Sequence, residues 1–270
     1  MKLENGYQMI KRFSFIALLF AIIISVIVFF SHYTIINGHI YSYKTTNLDL
    51  SKEKASTLHE GKLNNFKKLK VLNIRTSKIN SLSFLSDMDE LEELQFGYIS
   101  LSSSEKIDGS ALRHISDLKC LRIVDINRLV NWDMNEIEKF KKLTFLEISF
   151  SYLSSDAIYD ISRINSLEKL DLAESTIEDL SALKAIENLK TLDLYKAYLK
   201  DPSGLYELDQ IVNLDIIDFQ DIDVYRLADM RSLKRILIRE GQMSEKELAV
   251  LKDASIEIYY DPKEFDSYAL

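Results

Sequence analysis

Apolar residues recur along most of this chain with a period of about 22 residues, and a chain with that period must stack its units to bury them. The blocks begin at Leu69 (LKVLNI), Leu91 (LEELQF), Leu121 (LRIVDI), Leu143 (LTFLEI), Leu167 (LEKLDL), Leu189 (LKTLDL), Ile211 (IVNLDI) and Leu233 (LKRILI). Each has apolar residues at its first, fourth and sixth positions, the pattern of a short strand that turns one edge inward. After Leu167, the residues Ile177, Leu180, Leu183 and Ile186 follow three apart before Leu189 opens the next strand. One unit cannot bury such an edge alone, whereas a stack builds a continuous core. The expected fold is a solenoid.

At these blocks the sequence resembles the bacterial leucine-rich repeat proteins, and its spacing is most similar to the internalin-type subclass with a 22-residue repeat. The resemblance covers roughly residues 45–260. It implies an α/β solenoid, a right-handed coil with a parallel β-sheet on its concave side, preceded here by one transmembrane helix. The family usually places Asn at the ninth repeat position, where the side chain ladders to loop backbone. Here that position holds Ser77, Ser151, Ser175, Ala197 and Gly241. Loop backbone must then find other partners or water, so the turns are expected to be less regular than in the family.

Two spacings break the period. Leu91 to Leu121 is 30 residues, and its extra stretch has Ala111, Leu112, Ile115 and Leu118 at helical spacing, with Ser110 as the expected N-cap. Leu143 to Leu167 is 24, with Ser154 or Ser155 capping a helix through Ala157, Ile158 and Ile161. Near Ile211 two strand phases fit, and the one beginning at Ile211 keeps consecutive 22-residue spacings. The ends need caps. A first strand is expected through Leu48 and Leu50, with Leu58, Leu63 and Phe66 leading to Leu69. At the other end Ser244 and Glu247 form a capping box, with Leu248 and Leu251 facing inward, before a last strand over residues 256–260.

Residues 13–30 (FSFIALLFAIIISVIVFF) carry no charge. As a helix at about 1.5 Å per residue they reach roughly 27 Å, close to the hydrocarbon thickness of a bilayer. Lys2, Lys11 and Arg12 precede the run, and Lys44 is the single Lys or Arg between residues 13 and 50. This bias predicts a cytoplasmic N-terminus and repeats outside the cytoplasm in a single-pass cell-membrane protein. A cleaved signal peptide, and hence a secreted domain, is the alternative, although no A-x-A-like site follows the run. The expected organisation is a basic leader (1–12), a transmembrane helix (13–31) contacting the lipid bilayer, a juxtamembrane linker (32–44), leucine-rich repeats (45–243), a C-terminal cap (244–262) and a tail (263–270).

The net charge of -8 and pI near 5.2 argue against a nucleic-acid partner, which requires a basic face. Cys120, the one cysteine, has no internal disulfide partner. His32, His39, His59 and His114 are scattered, without metal-ligand spacing. There is no G-x-S-x-G, Walker loop or dinucleotide fingerprint, and seven glycines allow few phosphate-cradling loops. No enzyme activity, no cofactor and no metal site are expected.

What remains is a surface. With the first, fourth and sixth positions turned inward, the third and fifth face outward on the concave sheet, followed by the seventh and eighth at its rim. The fifth-position column reads Asp49, Asn73, Gln95, Asp125, Glu147, Asp171, Asp193, Asp215, Leu237. Its five consecutive carboxylates, Asp125 to Asp215, would stand about 4.8 Å apart on adjacent strands and repel by about 1 kcal/mol per hydrated pair. Such a stripe can receive a basic partner surface or cations. Asp in this slot is also common in the repeat family and can be simply solvated. Phe145 (third), Phe150 and Tyr98 (eighth) and Tyr195 (seventh) lie beside it, and Trp132 and Tyr152 fall in nearby loops. Arg75, Arg128, Lys169, Lys196, Arg235 and Arg239 occupy flanking columns.

The partner-binding residues expected on this basis are Asp125, Glu147, Asp171, Asp193, Asp215, Phe145, Phe150 and Tyr195. Two functions fit the pattern: an anchored module that binds a protein partner through its concave face, or an accessory subunit of a membrane complex in the cell envelope with the solenoid as spacer.

Overall fold

The computed structural model describes residues 2–52, 58, 60–76, 78–97, 106–220 and 222–261, with side chains from residue 15 onward. Ser77, Tyr98, His59 and the tail 263–270 lie outside the described residues.

Ten strands form one parallel sheet in chain order: β3 (Asn47–Asp49), β4 (Val71–Asn73), β5 (Glu93–Phe96), β6 (Cys120–Val124), β7 (Phe145–Ser149), β8 (Lys169–Asp171), β9 (Thr191–Asp193), β10 (Asn213–Asp215), β11 (Arg235–Ile238) and β12 (Glu257–Tyr260). Earlier in the chain come helix α1 (Lys2–His32) and the strands β1 (Tyr33–Ile36) and β2 (His39–Ser42). The register aligns Leu48, Leu72, Leu94, Leu121, Leu146, Leu170, Leu192, Leu214 and Ile236 across the sheet. All nine are buried. This is a leucine-rich repeat solenoid, and the phase beginning at Ile211 holds.

The unit at Leu121 departs from expectation. Leu121 pairs with Leu94 and Leu146, so it occupies the fourth position and not the first. Leu118, Leu121 and Ile123 are the inward residues, all fully buried. The six letters LRIVDI satisfy the template in the wrong phase because Val124 is also buried and Ile126 packs on the core from the turn. With the insertion before it, spacing alone could not decide the phase. The corrected intervals are 27 residues from Leu91 to Leu118 and 25 from Leu118 to Leu143.

The opposite side is built mostly from 3-10 turns, which explains the three-residue apolar spacing. Leu183 N donates to Leu180 O (2.9 Å), Ile186 N to Leu183 O (3.0 Å) and Leu189 N to Ile186 O (3.1 Å). Residues three apart eclipse in such a turn, so one row points inward. The segment Ser110–His114 belongs to this class and is not an α-helix; its N-cap is Gly109, not Ser110. Ser110 N instead donates to Asp108 Oδ1 at 2.9 Å. Ser154 does cap α2 (Ser155–Ile161), its hydroxyl accepting from Ala157 N at 3.3 Å. Helices α3 (Val224–Ala228) and α4 (Glu245–Asp253) follow, and Ser244 and Glu247 form the capping box.

The turns leaving the strands are regular, against expectation. In five successive units the eighth residue has a left-handed φ between 50 and 58°: Asp125, Phe150, Glu174, Lys196 and Asp218. Their amides ladder to the next coil, Asp125 N to Ser149 O (2.9 Å), Phe150 N to Ala173 O (3.1 Å), Glu174 N to Tyr195 O (2.7 Å) and Lys196 N to Ile217 O (2.9 Å). Serine does the work the family assigns to Asn. Ser175 Oγ accepts from Ser151 N (3.1 Å), and Ser151 Oγ accepts from Ile126 N (3.1 Å). Both serines are buried.

The span 32–44 holds an antiparallel hairpin of β1 and β2, turned by Asn37 (φ 49°) and Gly38 (φ 86°). Both central residues in this left-handed region are the mark of the two-residue turn that suits strand twist. Its inner face covers the first coil, with Ile36 and Thr34 buried and Tyr43, just after it, edge-on to Phe66 at 5.2 Å.

Leu170→Ala or Leu192→Ala should cost about 2 to 5 kcal/mol, the cavity penalty of a buried leucine. Nearest-neighbour coupling should spread the loss to adjoining coils in hydrogen exchange. A loss under about half a kcal/mol by chemical denaturation would contradict this register.

Candidate functional site

Strand pairing sets the outward fifth column as Asp49, Asn73, Gln95, Arg122, Glu147, Asp171, Asp193, Asp215, Leu237, Tyr259. Arg122 stands where Asp125 was expected. Asp125 belongs to the eighth position, past the strand, where its backbone starts the turn Ile126–Arg128. Arg128 moves with it and is buried in that turn, away from the flanking column. The acidic run therefore has four members, and Arg122 closes one end of it.

Those four are not alike. Glu147 is 3% exposed and receives two arginines: Arg122 at 3.0 Å and Arg75, which reaches across from the β4 coil. Ser149 Oγ also donates to it at 3.3 Å. Glu147 is thus a buried structural ion-pair centre and not the solvated acid expected. Reversing its charge would strand two guanidinium groups, which is far more costly than removing a surface charge.

The three aspartates carry out a backbone task. Asp171 Oδ1 accepts from Ala173 N (3.0 Å), Asp193 Oδ1 from Tyr195 N (2.9 Å) and Asp215 Oδ1 from Ile217 N (3.0 Å). Asp49 and Asn73 do the same for Ser51 N (2.8 Å) and Arg75 N (3.2 Å). Each is an Asx turn that ends its strand and satisfies an amide otherwise left without a partner. This use of either Asp or Asn explains the residue type in the column.

The turn does not explain the charge. Burial pushes the Asp171 carboxyl up to about 7, with Asp193 and Glu147 on the neighbouring strands adding to it. Burial and Asp215 push Asp193 up to about 6, and burial with Asp171 and Asp261 does the same for Asp215. Lys169 draws all three back down without pairing with any of them.

The aromatic residues divide. Phe145 is half-buried between two cations, with Arg122 Cζ at 4.5 Å and Lys169 Nζ at 4.6 Å from its ring centre. Tyr195 is half-buried under Lys196 Nζ at 4.8 Å, and Phe150 is half-buried in its left-handed turn. Trp132 packs against the core, and Tyr152 stands exposed in a small side sheet with residues 176–179 and 198–201. The structure thus brings Glu147, Asp171, Asp193, Asp215 and Phe145 onto one face, sets Phe150 and Tyr195 at its rim and leaves Asp125 out.

Sequence reasoning missed a groove of about 500 Å³ at the β12 end of this face. Lys169, Thr191, Asp193, Asn213, Arg235 and Tyr259 line it. Asn213 Nδ2 donates to Thr191 Oγ1 at 3.2 Å, while its buried Oδ1 has no partner. The signal was present in the third column, where Thr191, Asn213 and Arg235 line up in register beside the acids. Among the described residues no three His, Cys, Asp or Glu side chains converge as a metal site.

No family model matches the sequence, and no curated protein matches it. Among solved structures the chain is similar to an internalin from Listeria monocytogenes, with 16% identity, a TM-score of 0.46, and 86% of this chain and 88% of that one covered. It is also similar to internalin C2 of the same organism (17%, 0.43, 64% and 83%) and to a leucine-rich repeat protein of Leptospira interrogans (16%, 0.49, 79% and 60%). These likenesses are ones of fold, and the fold assignment rests on the register and core described above.

The acids give a pH dependence with a definite sign. Their folded pKa values lie above the ordinary 3.8, so the folded chain holds more protons between about pH 4 and about pH 7. Stability should therefore fall as pH rises through that window. Glu178, pulled down from 4.5 to about 2 by Tyr152, Ser155 and Lys200, works in the opposite sense and only below about pH 5. The denaturation midpoint should be higher near pH 5.5 than near pH 8. Asp193→Asn keeps the turn acceptor and drops the charge, so it should stabilise near pH 8 by on the order of 1 kcal/mol and flatten the profile. A profile unmoved by this variant would show that neither burial nor the neighbouring charges raise the Asp193 carboxyl.

Proposed function

We propose that this chain is a membrane-anchored repeat protein whose concave face receives the cationic surface of a protein partner outside the cytoplasm. One contrast carries the reading. Glu147 holds two arginines, whereas among the described residues no Lys or Arg pairs with Asp171, Asp193 or Asp215. Half-buried carboxylates at strand spacing repel by about 1 kcal/mol per pair when hydrated and by more when covered. A guanidinium or ammonium laid across them gains attraction and relieves that repulsion. The adjacent groove and the half-buried Phe145, Phe150 and Tyr195 supply the aromatic contact such interfaces favour.

The anchor is supported by α1. Its stretch Phe15–His32 has mean hydropathy 2.7, is long and apolar enough to cross a membrane, and none of it is buried against the repeats. Lys2, Lys11 and Arg12 ahead of it favour a cytoplasmic N-terminus.

The tagged full-length chain, expressed in its source cells, should capture its partner from the envelope. The triple variant Asp171→Asn, Asp193→Asn, Asp215→Asn retains every turn acceptor, so it should fold and lose most of its capture, and what remains should no longer depend on salt, since complementary charge chiefly steers association. Undiminished capture by the folded variant would remove the column from the site. Protease added to intact cells should digest the repeats, and protection that persists until the membrane is permeabilised would reverse the orientation.

A further inference from the structure

The hairpin that joins α1 to the first coil has two faces, and among the described residues only one is packed against the repeats. In its register Thr34 lies opposite Tyr41, and Ile36 opposite His39. On this inner side Thr34 and Ile36 are buried and Tyr41 packs on the core. The other side presents Ile35 opposite Ile40, with Tyr33 next along the strand. These three apolar residues are 39%, 60% and 40% exposed. No Lys, Arg, Asp or Glu occurs from residue 31 to residue 43.

This face follows the apolar helix without an intervening linker. β1 starts at the residue after α1 ends. Phe29, in the last turns of the helix, stacks on Tyr33 at 5.3 Å, and Tyr43 N donates to His32 O at 2.9 Å. Lys62 of the first coil donates to Ile35 O at 2.7 Å, which ties the hairpin to the repeats as well. Aromatic and aliphatic side chains at the end of a membrane span are the composition of the bilayer interface, where amphipathic rings sit at headgroup level and apolar faces dip below it.

We infer that the outer face of this hairpin, Tyr33, Ile35 and Ile40, beds into the lipid interface and seats the first coil directly on the membrane surface. The inference rests on α1 spanning the bilayer, and it goes further. The hairpin is then a two-sided gasket: its inner face closes the open end of the repeat core, and its outer face closes on lipid.

The test uses the full-length chain in phosphatidylcholine–phosphatidylglycerol vesicles whose acyl chains carry bromine at either a shallow or a deep position. Trp132→Phe removes the native tryptophan, and a single Trp is placed by Ile40→Trp or, as a reporter on the span, by Ile24→Trp. The position 24 reporter should be quenched most by deep bromine. The position 40 reporter should emit at shorter wavelength than in water and be quenched most by shallow bromine. Deep quenching at 24 with a water-exposed, unquenched reporter at 40 overturns the inference and leaves the span intact. A blue-shifted but unquenched reporter at 40 also overturns it, because the face is then covered by protein, such as a second copy. A reporter at 24 that no bromine quenches overturns the span and the inference together. Unaltered circular dichroism of Ile40→Trp, at a position more than half exposed, keeps misfolding out of the comparison.

Discussion

Everything in this molecule depends on one coil hydrogen-bonding to the next while each gives up its fourth-position residue to a shared interior. Neither half of that arrangement suffices alone. Strands of three to five residues are too short to hold by themselves, and the leucine column has no closed core within any single unit. Together they make stability a nearest-neighbour property. The two ends of the stack then become the weak places, since each has a neighbour on one side only. The chain meets this with a hairpin at one end and a capped helix and final strand at the other.

The same register places charged residues in lines whether or not function asks for it. A residue chosen to end one strand recurs in the next, and four acids fall side by side. The chain resolves this in two ways along one column. Around Glu147 it supplies two arginines and buries the result. From Asp171 to Asp215 no Lys or Arg among the described residues pairs with the acids, and burial pushes their carboxyls toward neutral pH.

Much of the fold was legible because strand, turn and inward position repeat together, so an error at one unit is checked by the next. Leu121 is the exception that shows the limit. Its neighbours lie across an insertion, its own letters fit two phases, and the left-handed eighth position that would have settled the matter is filled by acids, an aromatic residue and a lysine (Asp125, Phe150, Glu174, Lys196, Asp218), so no single residue type marks it. The site was legible to the extent that the column was: Glu147, Asp171, Asp193 and Asp215 followed from the period, while the pairing of Glu147 with Arg75 depends on curvature across several strands. The hairpin was missed for a simpler reason. Asn37–Gly38 between alternating residues is a strong turn signal, but its strands are short and lie where a linker was expected.

The Asx turns have a consequence for how this surface can change over evolutionary time. Asp and Asn serve the turn equally well, as Asn73 and Asp49 already do within one column. Backbone geometry and surface potential are therefore encoded separately at these positions, although a single side chain supplies both. A lineage can step the concave face from acidic to neutral one coil at a time, each step a single-nucleotide change, without passing through a misfolded intermediate. The scaffold can be inherited unchanged while the charge pattern of its face drifts.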